Sequence, residues 1–158
     1  MTKSRILATG VSVFLLLFLL TGCAKTPKPT PPENPAAIHI RNGKTDQVFI
    51  VTDAELVKQA VKTLYQNSFR KGRYIDPVDQ LNGYIYLAGF FDEAGNELSE
   101  TFSILPQNYL MVDDYLYQMP TDNIIRCLAD VEEHETGVDP IKTGGIVDPN
   151  APIMQPWP

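Results

Sequence analysis

The sequence predicts one small α+β domain: an antiparallel meander with two helices on one face, in the order ββ-α-ββββ-α. Three observations carry that expectation. Short β-rich runs recur between turn residues, two segments alone place apolar residues at helical spacing, and both chain ends have compositions that exclude them from a core. With 158 residues the chain has length for one domain, and the part able to build a core is 37–135.

Ile38-His39-Ile40 and Val48-Phe49-Ile50-Val51 read as strands around the turn Asn42-Gly43. Thr52-Asp53-Ala54-Glu55 then fits a capping box, with Thr52 as N-cap and Glu55 three residues on. The helix behind it puts Val57, Ala60, Val61 and Leu64 on one face, Lys58 and Lys62 on the other, and should stop near Asn67. Residues 68–82 read as a loop, punctuated by Gly72, Pro77 and Asn82-Gly83. Tyr84–Phe91 and Glu97–Ile104 form a hairpin across the Gly-containing loop Asp92–Asn96. A second hairpin joins Tyr109–Val112 to Tyr115–Met119 around Asp113-Asp114. Thr121 is placed to cap a final helix over 122–134, with Ile124, Cys127, Leu128 and Val131 in one stripe.

The ends behave differently. Residues 24–36 hold five prolines and no large apolar side chain, which favours an extended polyproline spacer of about 40 Å. From Thr136 to Pro158, Gly, Pro, Asp and Asn dominate, so this stretch reads as a flexible Gly/Pro-rich tail.

At the start, Lys3 and Arg5 precede an almost wholly apolar run, Ile6 to Leu20. Fifteen helical residues span about 22 Å, short of the roughly 30 Å hydrocarbon core, so the run suits a signal peptide better than a permanent span. Leu20-Thr21-Gly22-Cys23 follows at once and resembles the lipobox of bacterial lipoproteins. The resemblance implies cleavage of residues 1–22, a diacylglyceryl (palmitate-type) thioether on Cys23, and anchorage to the outer face of a bacterial membrane. The domain order is then signal peptide 1–22, lipidated Cys and linker 23–36, α+β domain 37–135 and tail 136–158. The globular part is similar to small lipoprotein domains of Gram-positive bacteria, and in arrangement to folds of the TATA-binding-protein type. Fold likeness of that kind licenses no function.

Charge narrows the partners. Residues 1–22 carry two basic residues and no acid, so their removal leaves 11 basic against 19 acidic residues, a net charge of −8. Such a domain repels nucleic acid and anionic headgroups within a Debye length of about 8 Å, and nucleic-acid binding is not expected. With Cys23 lipidated, Cys127 has no disulfide partner, and its spacing places it in the core.

Three short patterns look catalytic: Ser68-Phe69-Arg70-Lys71 fits S-x-x-K, Thr121-Asp122-Asn123 approximates S-D-N, and Lys142-Thr143-Gly144 fits K-T-G. They are the penicillin-binding-protein elements in the right order, yet their context is wrong. Ser68 follows a helix instead of opening one, Gly72 comes directly after Lys71, and Lys142 sits in the tail. The matches are read as coincidence, and no enzyme, cofactor or metal is expected. His39 and His134 make no ligand set, and Glu132-Glu133-His134-Glu135 reads as a solvated charge run at a fraying helix end. Asp113-Asp114 reads as a turn before an acid–base pair.

Two candidate binding features remain. Arg70, Lys71 and Arg73 form a basic cluster suited to an anion. On strict alternation Tyr84, Tyr86 and Phe90 share one sheet face; with Tyr117 they would offer a tyrosine row opposite the helices. The function expected is a non-catalytic binding module of the cell envelope, its partner an envelope protein or cell-wall polymer. Alternatives are an envelope hydrolase or accessory with a site in loop 68–80, and a structural spacer contacting cell-wall polymer.

Substituting Cys23→Ala should abolish incorporation of labelled palmitate and leave the precursor uncut. A Cys23→Ala chain that still takes up label overturns the anchor.

Overall fold

The computed structural model describes residues 28–67, 69, 72–74 and 83–150. The domain is α+β, as its sequence predicts. Its strands are β1 (Ala37–Asn42), β2 (Val48–Val51), β3 (Arg73–Tyr74), β4 (Tyr86–Phe91), β5 (Phe102–Leu105), β6 (Tyr109–Val112) and β7 (Tyr115–Gln118). Helix α1 (Ala54–Tyr65) follows β2, and α2 (Asp122–Thr136) follows β7. One seven-stranded sheet runs β2-β1-β4-β5-β6-β7-β3, with every neighbouring pair antiparallel. The two-residue β3 is the one strand the expected order lacks; it falls inside the stretch read as a loop.

Pleating splits the sheet into two faces. Across it, Ile38 opposes Phe90, Ile40 opposes Ala88, Ala88 opposes Phe102, and Ile104 opposes Leu110. These side chains are buried in one cluster with Val57, Ala60 and Leu64 of α1 and Ile124, Leu128 and Val131 of α2. The helices pack on one another and against β1 and β2, so they cover this face together. Among the described residues no helix is long and apolar enough to cross a membrane.

Local chemistry sets the boundaries. The cap of α1 is Asp53, whose Oδ1 accepts from the backbone N–H groups of Glu55 and Leu56, both at 3.0 Å. The cap thus lies one residue past the expected Thr52, since a carboxylate also favours the positive helix end. Thr121 does cap α2, although its side chain makes no capping bond. Helix α2 runs on to Thr136 and stops at Gly137, whose φ of 70° is a left-handed conformation that glycine adopts freely.

Two expectations about the ends need correction. Pro29 is buried, so the chain lies against the domain well before residue 36. The segment after α2 is not a free tail either: Pro140 is buried, and Ile146 and Val147 pack on the core. The Gln107 N–H donates to the Pro149 carbonyl at 2.6 Å, and Lys44 Nζ donates to the Gly144 carbonyl, also at 2.6 Å. Composition predicted looseness, but two apolar residues and several tertiary hydrogen bonds suffice to fix a Gly/Pro-rich segment. Residues 151–158 lie outside the described residues.

The β1–β2 turn makes a sharp test. A Cβ on Gly43 would lie 1.8 Å from the Tyr84 carbonyl oxygen. Gly43→Ala should therefore destabilise the fold by about 1–3 kcal/mol through forced backbone displacement, read as a lowered urea midpoint.

Candidate functional site

The open face of the sheet is built by the residues that alternate with the core. Reading across it, Arg41 opposes Leu87, Leu87 opposes Ser103, Ser103 opposes Met111, Met111 opposes Leu116, and Leu116 opposes Arg73. Tyr84, Tyr109 and Met111 pack around Leu105 and Leu116 in a second, smaller apolar cluster on this side.

A β-bulge decides which tyrosines belong here. Tyr86 opposes Ile104, while the Ile85 N–H also donates to the Ile104 carbonyl at 2.7 Å. Two residues of one strand thus face a single partner residue. Ile85 and Tyr86 are both fully buried, and Tyr84 is displaced to the opposite face. The expected tyrosine row is therefore wrong in two of its three members. Tyr86 is 0% and Tyr117 1% exposed, both beneath the helices, and Tyr84 alone of the three reaches the open face. Strict alternation failed because it allows no extra residue.

Tyr86 instead serves a buried polar cluster. Its hydroxyl donates to Glu132 Oε2 at 2.8 Å. Asn42 Nδ2 donates to the same carboxyl group at 2.9 and 3.1 Å, and to the Gly145 carbonyl at 3.2 Å. Asn42 Oδ1 accepts from the backbone of Lys44 and Thr45, holding the β1–β2 turn. Burial first, and the Glu132 contact second, push the Tyr86 phenol far above its ordinary value. Glu132 is 5% exposed, so the acidic run at 132–135 is not wholly solvated: one of its members points inward. Periodicity could have shown this, because Glu132 lies one turn beyond the buried Leu128.

On the open face a groove of about 550 Å³ runs beside Tyr84. Tyr84, Leu87 and Met111 supply apolar surface over the buried Leu105, and Glu97, Glu100 and Asp113 supply charge. The acidic side exists because β5 starts late. After a single bridge from Glu97 to Phe91, residues 98–101 leave the sheet before Phe102 rejoins it. Sequence alternation read 97–104 as one strand, and the excursion was hidden within it. Burial, then the nearby Glu100, Asp114 and Glu97, hold the Asp113 carboxyl above the usual carboxylate range. Ser99, Thr101 and Ser103 add hydroxyl groups.

Other candidates fare differently. Arg73 is exposed on β3, while Arg70 and Lys71 lie outside the described residues, as do Ser68 and Cys23. Lys142 pairs with Asp139 at 2.9 Å in a turn, not on a strand, and Thr121 is buried at the start of α2. Cys127 is buried, and burial pushes its thiol upward, away from thiolate chemistry. Among the described residues no group of three or more His, Cys, Asp or Glu is placed to hold a metal ion. A second groove, about 640 Å³, lies between α2 and segment 141–149.

Removing the inward carboxyl should be costly. Glu132→Ala strands the Tyr86 hydroxyl and leaves the Asn42 amide with the Gly145 carbonyl alone, and should destabilise by about 2–3 kcal/mol. Glu132→Gln, which keeps an acceptor oxygen, should lose less; equal urea midpoints for the two variants would refute the clamp. No protein-family model, no curated protein and no solved structure matches this chain.

Proposed function

We propose that the chain is a membrane-anchored extracytoplasmic lipoprotein whose domain is a non-catalytic binding module of the cell envelope. Its ligand is cationic and partly apolar, a basic peptide segment of an envelope protein, taken into the open-face groove. The carrying observation is the pairing of a Tyr84–Leu87–Met111 surface with the carboxylates of Glu97, Glu100 and Asp113. Apolar side chains supply contact area, and crowded carboxylates favour an ammonium or guanidinium that separates their charges. The lipobox Leu20–Cys23 supports the location. The net negative charge supports the sign of the ligand.

This reading moves the binding residues proposed from sequence. Tyr84 stays, Tyr86 and Tyr117 leave for the core, and the acids of 97–113 take the place of the basic cluster.

The pH dependence follows from the raised Asp113 value. A bound cation favours the ionised carboxyl, so binding releases protons and weakens as pH falls through the carboxylate range. Titrating the full chain in detergent with a short Lys/Leu peptide should give binding that declines with acidification and with salt. Glu100→Gln and Asp113→Asn should each weaken it about two- to fivefold, and Tyr84→Ala should weaken it further. Equal binding of a Glu/Leu peptide, or indifference to all three substitutions, rejects the groove.

A further inference from the structure

The free edge of β2 carries a second surface, independent of the groove. Val48 and Ile50 are each 57% exposed and share the open face, where they oppose Arg41 and His39. Beside them His39 stacks on Phe91, with ring centroids 3.8 Å apart. β2 pairs with β1 on one side only, and no described residue pairs with its other side.

Hydrogen-bond parity shows which groups that edge presents. The Asn42 N–H donates to the Gln47 carbonyl, and the Gly43 N–H donates across the other side of β1 to the Ile85 carbonyl. Residues 47, 49 and 51 therefore direct their backbone groups toward β1, and Val48 and Ile50 direct theirs outward. The outer edge thus presents two N–H and two C=O groups.

We infer that this edge is a self-pairing surface, and that its occupant is β2 of a second copy of the chain, antiparallel about a two-fold axis midway between the two Phe49 residues. In this register Val48 of each copy opposes Ile50 of the other, and all four outward groups on each strand are used in four interchain hydrogen bonds. Shifting the register by two residues in either direction keeps the faces aligned but loses one of the two bonded pairs. Shifting by one turns the apolar side chains to the wrong face. The strand Val48-Phe49-Ile50-Val51 is uncharged, and Gln47 and Thr52 flank it. It has none of the lysines, prolines or bulges that commonly protect an edge. Like charge therefore does not oppose pairing at the seam, and isologous symmetry needs only this one patch. The seam is short against a standard interface, so the dimer is weak and concentration-dependent.

Register and occupant can be tested together on the full chain in its membrane. Cells producing a Val48→Cys chain and an Ile50→Cys chain together are oxidised and compared with cells producing either alone and with a Leu98→Cys control. Residues opposed in a bonded pair lie about 5.5 Å apart between Cα atoms, within disulfide range. The mixed pair should give a dimer several-fold more abundantly than either single variant or the control. In detergent, the dimer of the unsubstituted chain should tighten as salt screens the net negative charge of the domain, whereas peptide binding in the groove should weaken, so the two proposals fail separately. Yields no higher than the Leu98→Cys control, equal yields for like and mixed pairs, or crosslinks to a different protein each overturn the inference.

Discussion

The buried carboxyl of Glu132 is the constraint on which the arrangement turns. It comes from α2, late in the chain, and is met by Asn42 at the end of β1 and Tyr86 at the start of β4. Three elements distant in sequence are thereby fixed at one point under the sheet. Asn42 extends the cluster in two further directions, to the turn before β2 and to the Gly145 carbonyl of the segment after α2. Apolar packing would hold α2 on the sheet with some freedom to slide. Hydrogen bonds among groups with almost no access to water do not permit it, since each lost bond strands a desolvated partner.

The bulge at Ile85 and Tyr86 follows from the same requirement. Tyr86 must turn under the sheet to reach Glu132, and Ile85 already fills the core. Accommodating both consumes one extra residue, which throws Tyr84 to the other side. The polar clamp below the sheet and the aromatic wall of the groove above it are therefore two results of a single insertion. Gly43 belongs to the same set: it donates to the Ile85 carbonyl and passes so close to Tyr84 that no side chain fits. The groove's position is accordingly tied to the core, although its charged side rests on the less regular 97–101 segment.

Much of the domain was legible in its residues. Alternation and turn chemistry located β1, β2, β4, β6 and β7, and helical spacing located both helices, because one-sided burial imposes those periods directly. What escaped has a common cause: each case depends on a partner remote in sequence. Helical spacing puts Glu132 on the buried stripe, but an inward carboxyl makes sense only beside Asn42 and Tyr86. The two-residue β3 exists only because β7 lies next to it. The segment after Thr136 looks structureless until Gln107 and Lys44 are placed against it. Late entry into β5 breaks alternation with no turn residue to announce it. The candidate site was less legible than the fold for this reason, since Tyr84 reaches it only through the bulge and its acids become neighbours only through the excursion.

The buried Pro29 alters what an anchor at Cys23 implies. Six residue steps separate the two positions, and an extended chain covers at most about 3.5 Å per residue, or about 20 Å in all. A lipid on Cys23 would then hold the domain near the headgroups, not at the 40 Å stand-off that a free spacer to residue 36 suggests. That distance is still more than twice the Debye length at physiological salt, so an acidic domain can sit there without strong repulsion from an anionic surface. Confinement to one surface by such a lipid would also raise the encounter rate of copies able to pair through the β2 edge, because a tether removes much of the search before the strands meet. The proposed short leash, acidic groove and β2 seam are thus mutually consistent: the first would supply proximity, the second would select a cationic ligand, and the third would leave a neutral strand edge where two copies could meet.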